Sequence, residues 1–161
     1  MLDQDFLRQK IEQLGINQQS HYSASERLQR LHFVVGLIIL VSSTTALAFN
    51  FSSGPGDGIG WKWAIGSFSF VAALCSGIQT FSNFSGRAKD HQSAGVAYGS
   101  LVRDLEFLFA HAQSLPDSEA RLQQLMKEWR EVSDAAPITA LKIRTKFGDK
   151  VRHAFNKPTS A

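Results

Sequence analysis

Two long stretches of this chain contain no charged side chain. The first runs from Phe33 to Phe51 and the second from Trp63 to Phe84. At the helical rise they would measure roughly 28 Å and 33 Å, close to the thickness of the hydrocarbon core of a bilayer. We therefore predict transmembrane helices at 33–51 and 63–84, although the mean hydropathy of −0.12 is typical of a soluble protein.

The segment between the two stretches, residues 52–62, favours a reversal of the chain. It contains Pro55 and four glycines, which do not continue a helix. Trp61 and Trp63 follow where an interfacial aromatic belt is expected. The sequence thus predicts an all-α fold built on a two-helix transmembrane hairpin, with 52–62 as the extracytoplasmic loop.

Positive charges near the ends of the stretches predict the orientation. Arg27 and Arg30 precede the first stretch, Arg87 and Lys89 follow the second, and Lys62 alone lies in the loop. Because Lys and Arg accumulate on the cytoplasmic side, we expect a multi-pass protein of the plasma membrane with both termini in the cytoplasm.

The apolar stretches have two other interpretations, a buried pair of helices in a soluble protein and a cleaved signal peptide. A buried pair of helices in a soluble protein would need further apolar surface to cover it, and the remaining segments are only amphipathic. A cleaved signal peptide is favoured by the small-residue motif at 46–48, but 32 residues with four acids precede the first stretch. We expect neither.

One face of the second stretch is small and polar from end to end. Its residues recur at spacings of three and four, which places them on one side of a helix. They are Gly66, Ser69, Ala73, Ser76, Thr80 and Asn83, called the small-residue stripe below. Such a face allows close helix packing, or it could line a wet lumen in an oligomer. Sequence alone leaves both roles open.

The first stretch carries four consecutive hydroxyl residues, from Ser42 to Thr45. They sweep about 300° around a helix and cannot all face one neighbour. Some hydroxyls are therefore expected to bond to carbonyls one turn earlier.

The rest of the chain is predicted to form a cytoplasmic helical bundle from an N-terminal helical segment, 1–32, and cytoplasmic helices within 85–137. An apolar stripe after Phe84 indicates that the second span continues into the cytoplasm, with a kink at Ser85 and Gly86. His91 and Tyr98 lie two turns apart and are interpreted as packed polar groups in preference to ligands.

The C-terminal tail, 138–161, contains six Lys or Arg and one Asp. The basic residues that alternate with apolar ones are Lys142, Arg144, Lys146, Lys150 and Arg152. A basic amphipathic segment beside a membrane can contact anionic lipid, and a solvated tail is the alternative. Nucleic-acid binding is not expected, because no reading motif accompanies the charges.

The sequence shows none of the common catalytic motifs. HExxH, GxGxxG, GxSxG and the phosphate-binding lysine loop are all missing. The single cysteine, Cys75, lies in an apolar run, and none of the five histidines lies at ligand spacing with another. We therefore expect no enzyme activity, cofactor or metal site.

The order of these features resembles the SLATT family, bacterial two-helix membrane effectors associated with SMODS nucleotidyltransferases and SLOG sensor domains. The resemblance covers about 25–145 and includes Ser25–Leu28 and His32 before the hairpin. After it come Ala88, His91, Ala94, Gly95, Tyr98, Leu101, the run Arg103–Glu106 and then Ala136–Ile138. Within these, His91, Tyr98, Arg103 and Glu106 mark the cytoplasmic helix of the family pattern.

The resemblance implies a homo-oligomer that breaches the bacterial inner membrane when infection is sensed. The signal would come from a separately encoded sensor or nucleotide-signal enzyme, because this chain shows no fused sensor segment. The alternative is a non-conducting, membrane-anchored scaffold that recruits a cytoplasmic partner. Membrane lipids are expected contacts in both cases.

Overall fold

The computed structural model describes residues 4–52, 58–111 and 117–139, together with residues 143, 145 and 147 taken singly. The elements are α1 (Gln4–Ser52), α2 (Ile59–Ser82), α3 (Phe84–His111) and α4 (Ser118–Ala135). No strand occurs among these residues, so the prediction of an all-α fold is confirmed.

Helix α1 is one uninterrupted helix of 49 residues. No proline occurs from residue 4 to residue 52, so nothing in the sequence removes a backbone donor along this length. The segment 1–32 and the first predicted span therefore share a single helix over the described residues. Gly15 and Gly36 are accommodated within it.

The boundary between α2 and α3 is a single residue, Asn83. Its φ of 42° and ψ of 47° are left-handed, which Asn tolerates better than most residues. The Oδ1 atom of Asn83 accepts a hydrogen bond from the backbone N–H of Gly86 at 3.2 Å. The break thus lies two residues before the predicted kink at Ser85, because Asn83 itself adopts the conformation that ends a helix.

Helix α4 ends at Ala135, two residues before Pro137. Ala136 has φ −72° and ψ 139°, the extended conformation that a following proline favours, and its N–H donates to Val132 O at 2.9 Å.

The helices form two compact units. The packed unit comprises Met1–Glu26 and Ala88–Ala161, and the apolar unit comprises Arg27–Arg87.

The packed unit has a core of leucines, one isoleucine and one tyrosine contributed by α1, α3 and α4. Its buried members are Leu7, Ile11, Leu14, Tyr98, Leu101, Leu105, Leu108 and Leu125. On α1 and α3 the contributions recur at spacings of three and four, the period of a helix with one buried face, and α4 contributes Leu125. Charged side chains such as Arg103 and Glu106 lie on the exposed side.

The apolar unit contains the end of α1 and all of α2. His32 contacts Gln79 through Nδ1 and Nε2 at 2.9 Å, and the Trp61 indole N–H donates to Phe49 O at 3.2 Å. The two segments therefore run antiparallel. Both α1 and the α2–α3 segment are long and apolar enough to span a membrane.

Candidate functional site

The contact between α1 and α2 in the apolar unit is a narrow seam. Its residues are half-buried or buried, and most lie three, four or seven positions apart along each helix. They are His32, Val35, Gly36, Ile39, Ser42, Ala46 and Phe49 on α1, and Trp61, Ile65, Ala72, Cys75, Gln79 and Ser82 on α2. Most of them are small or polar, which lets the two backbones approach closely.

The small-residue stripe of α2 lies beside this seam and outside it. Five of the six stripe residues directly follow a seam residue, and Ser69 follows Phe68, whose ring contacts Phe49. A step of one position rotates the stripe by about 100° from the seam. All six stripe residues, from Gly66 to Asn83, are exposed. Ser69 lines a groove shared with α1, beside Ala46 and Ile65. Close packing within this chain therefore uses the seam, and the stripe is left uncovered.

Two hydroxyl groups of α2 donate to carbonyl groups of their own helix. Thr80 donates from Oγ1 to Ser76 O at 2.9 Å, and Ser67 donates from Oγ to Trp63 O at 2.8 Å. In each case the donor is satisfied and the oxygen still presents an acceptor outward.

The hydroxyl run of α1 behaves in the same way. Ser43 donates to Ile39 O at 2.6 Å, and Thr44 donates to Leu40 O at 2.9 Å. The expected back-bonding is confirmed, and Ser42, at 7% exposure, lies on the seam.

The large apolar side chains of the apolar unit point away from the protein. Phe51, Ile59, Phe70 and Phe81 are 83%, 78%, 68% and 92% exposed. Within the most apolar stretch of each candidate span, 11% of the α1 residues and none of the α2 residues are buried. A soluble core helix would be mostly buried, so this surface is of the kind that contacts lipid or another protein.

A polar site lies inside the packed unit and contains His91 and Tyr98, two of the residues on which the sequence resemblance depends. His91 of α3 meets His21 of α1 with their Nδ1 atoms 3.1 Å apart. The His21 ring stacks on Tyr98 at a centroid distance of 5.4 Å, and the Tyr98 hydroxyl donates to Ser133 Oγ of α4 at 3.2 Å. A chain of polar groups thus joins three helices.

Burial disfavours a charge on the side chains of this polar chain. His21 and His91 are 4% and 6% exposed, and Tyr98 is 4% exposed. Burial, and after it the positive charge that His91 can carry, lower the pKa of His21 from 6.5 to about 4. His21 is therefore neutral at physiological pH.

Sequence reasoning found His91 and Tyr98 but overlooked their partners. His21 continues the apolar spacing of Leu7, Ile11 and Leu14 on α1, a signal that predicts burial for a histidine. Ser133 gives no such signal, because its contact depends on where α4 packs. The sequence predictions for the tail residues Lys142, Arg144, Lys146, Lys150 and Arg152 fall outside the described residues.

Among the residues that the structure describes, no group of three or more His, Cys, Asp or Glu side chains could hold a metal ion. No family model, no curated protein and no solved structure matches this chain. The fold and the two sites define an all-helical protein with two helices able to span a membrane.

Proposed function

We propose that this chain is a membrane effector of a bacterial antiphage or conflict system, which oligomerises and permeabilises the inner membrane when a partner sensor signals infection. The apolar unit is its transmembrane hairpin, the packed unit is its cytoplasmic bundle, and both termini are cytoplasmic. The proposal combines the resemblance to the SLATT family with the surface properties of the apolar unit.

The observation that carries the proposal is the exposure of the small-residue stripe along the whole of α2. In a bilayer, small residues at a helix surface let a second helix approach, and hydroxyl groups can replace the hydration of a permeating solute. Because the seam already supplies the contact with α1, a partner for the stripe would come from another copy.

Oligomer formation through the stripe can be tested by cysteine cross-linking in membranes. In a Cys75→Ser background, Ala73→Cys should form a disulfide between two copies, because it lies at the middle of the stripe. Leu74→Cys, 53% exposed on the large apolar face, is the matched control and should cross-link far less. Equal cross-linking at both positions would argue against a stripe-specific interface.

Permeabilisation can be tested by dye release from liposomes that contain the purified chain. Ser76→Leu should slow release by about tenfold or more if the stripe lines the lumen, since an apolar constriction excludes water. Ser67→Leu is the control, because Ser67 is also exposed but lies on the opposite side of α2. Equal slowing of dye release by Ser76→Leu and Ser67→Leu would indicate that the stripe does not line the lumen.

Membrane orientation has a separate test in intact cells. A membrane-impermeant maleimide should label Gly58→Cys, at the extracytoplasmic end of α2, in a Cys75→Ser background. Ser100→Cys on α3 should react only after the membrane is permeabilised. The reverse pattern would overturn the proposed orientation.

The non-conducting anchor remains a second candidate because of the hydroxyl groups. Thr80 and Ser67 already donate to carbonyls of their own helix, so they can face lipid at small cost without a partner. An anchor predicts no dye release and full activity when the apolar unit is replaced by an unrelated membrane hairpin.

A further inference from the structure

A pair of buried histidines connects α1 to α3 inside the packed unit. The Nδ1 atoms of His21 and His91 are 3.1 Å apart, and the two side chains are 4% and 6% exposed. A hydrogen bond between two imidazole nitrogens requires one ring to donate and the other to accept. The contact therefore needs at least one of the two rings to keep an unprotonated Nδ1.

The groups around the pair are mostly neutral. The Tyr98 ring stacks on His21 and its hydroxyl donates to Ser133 of α4, while the Tyr22 ring lies beside Gly95. The charged side chains on the neighbouring turns of the three helices are exposed. They are Glu26 on α1, Arg87, Lys89 and Asp90 on α3, and Arg130, Glu131 and Asp134 on α4.

Protonation of both rings would reverse the interaction. Both Nδ1 atoms would then be donors, the hydrogen bond would be lost, and two positive charges would face each other in a buried site. We propose that the His21–His91 pair is an acid-sensitive lock, which holds α1 against α3 near neutral pH and releases the packed unit when both rings are protonated.

The direction of the pH dependence follows from the difference between the folded and unfolded chain. The folded chain protonates His21 only near its lowered pKa of about 4, whereas the unfolded chain does so near 6.5. The contribution to stability is complete above 6.5 and is lost as the pH falls from 6.5 towards 4. Over this range the open state binds one more proton than the closed state. Each fall of one pH unit therefore raises the equilibrium constant for opening by up to about tenfold.

Trp129 provides an optical probe of the packed unit. It lies on α4, and the Lys10 ammonium group of α1 is 5.0 Å from its ring centroid. The variant Trp61→Phe, Trp63→Phe leaves Trp129 as the single tryptophan. In detergent micelles, we expect its emission and the amide protection of α1 and α3 to change together between about pH 6.5 and about pH 4.

A variant without the titrating rings tests the cause of this transition. In the His21→Asn, His91→Asn double variant, an amide can still donate to an amide but cannot titrate. The midpoint of the Trp129 transition should fall by about one pH unit or more. His111→Asn is the control, because His111 is exposed on α3, and it should leave the midpoint in place. A double variant with the original midpoint would overturn the lock.

If the double variant is already open near pH 8, nitrogen NMR of the histidines in the original chain decides. The lock predicts that His21 and His91 are not both protonated while the packed unit is closed. Two fully protonated rings in a closed packed unit at about pH 5 would overturn it. Loss of amide protection at the pH at which the second ring protonates would support it.

Discussion

The packed unit buries large apolar side chains, whereas the apolar unit exposes them. In the packed unit, Leu7 and Leu105 are 0% exposed, and charged side chains lie outside. In the apolar unit, Ser42 and Ala46 are among the least exposed, at 7% and 8%, and Phe81 is 92% exposed. Helix α1 contributes Leu7 to one unit and Ser42 to the other, so helix geometry does not cause the difference. Inverted burial of this kind is expected if water surrounds the first unit and hydrocarbon surrounds the second.

The largest effect should come from removing the same side chain in both units. Leu105→Ala should destabilise the packed unit by about 2–5 kcal/mol, because it leaves a cavity in a full core. Leu74→Ala, at a position 53% exposed on α2, should cost far less in micelles, because detergent fills the space. Chemical unfolding followed by Trp129 emission measures the cost in the packed unit, and the amide protection of α2 in micelles measures the cost in the apolar unit. Equal costs would contradict the inverted pattern.

Enlarging a seam residue should reveal the close approach of α1 and α2. Ala46→Leu should destabilise the apolar unit by about 1–3 kcal/mol, since a small buried site is overpacked. Ala48→Leu, at an exposed position two residues along α1, should be nearly neutral. The amide protection of α2 in micelles checks the pair. A harmless Ala46→Leu would mean that the seam is loosely packed.

These comparisons separate what the sequence could predict from what it could not. The runs without charge predicted two helices able to span a membrane, because length and hydropathy are properties of a single segment. The spacing of small residues predicted the stripe of α2, but it did not predict which face of α2 contacts α1. Ile65 lies on the contacting face and Gly66 on the stripe, one position apart, and both faces show helical periodicity. The pairing of His21 with His91 joins positions 70 residues apart, and no local pattern contains that information.

A smaller effect is expected at the joint between α2 and α3. A Cβ atom on Gly86 would lie 2.5 Å from Asn83 Nδ2, so Gly86→Ala should displace the Asn83 side chain and remove its hydrogen bond. The cost should be about 1 kcal/mol. In an Asn83→Gly background the side chain is gone, and the same Gly86→Ala change should cost nothing further. Thermal unfolding of the four proteins completes the cycle, and additive costs would show that the two residues act independently.

The smallest effect concerns how the packed unit covers its aromatic side chains. The Lys10 ammonium group lies 5.2 Å from the Phe6 ring centroid and 5.0 Å from that of Trp129, so one cation shields two apolar rings. Lys10→Met keeps the aliphatic stem and removes the charge, and it should cost about 0.5–1 kcal/mol. Lys127→Met, at an exposed position of α4, should change the unfolding midpoint less. If Lys10→Met stabilises the packed unit in water, the Phe6 and Trp129 rings gain more from an apolar neighbour than from the cation. The surface of the packed unit would then resemble that of the apolar unit more closely than the burial pattern indicates.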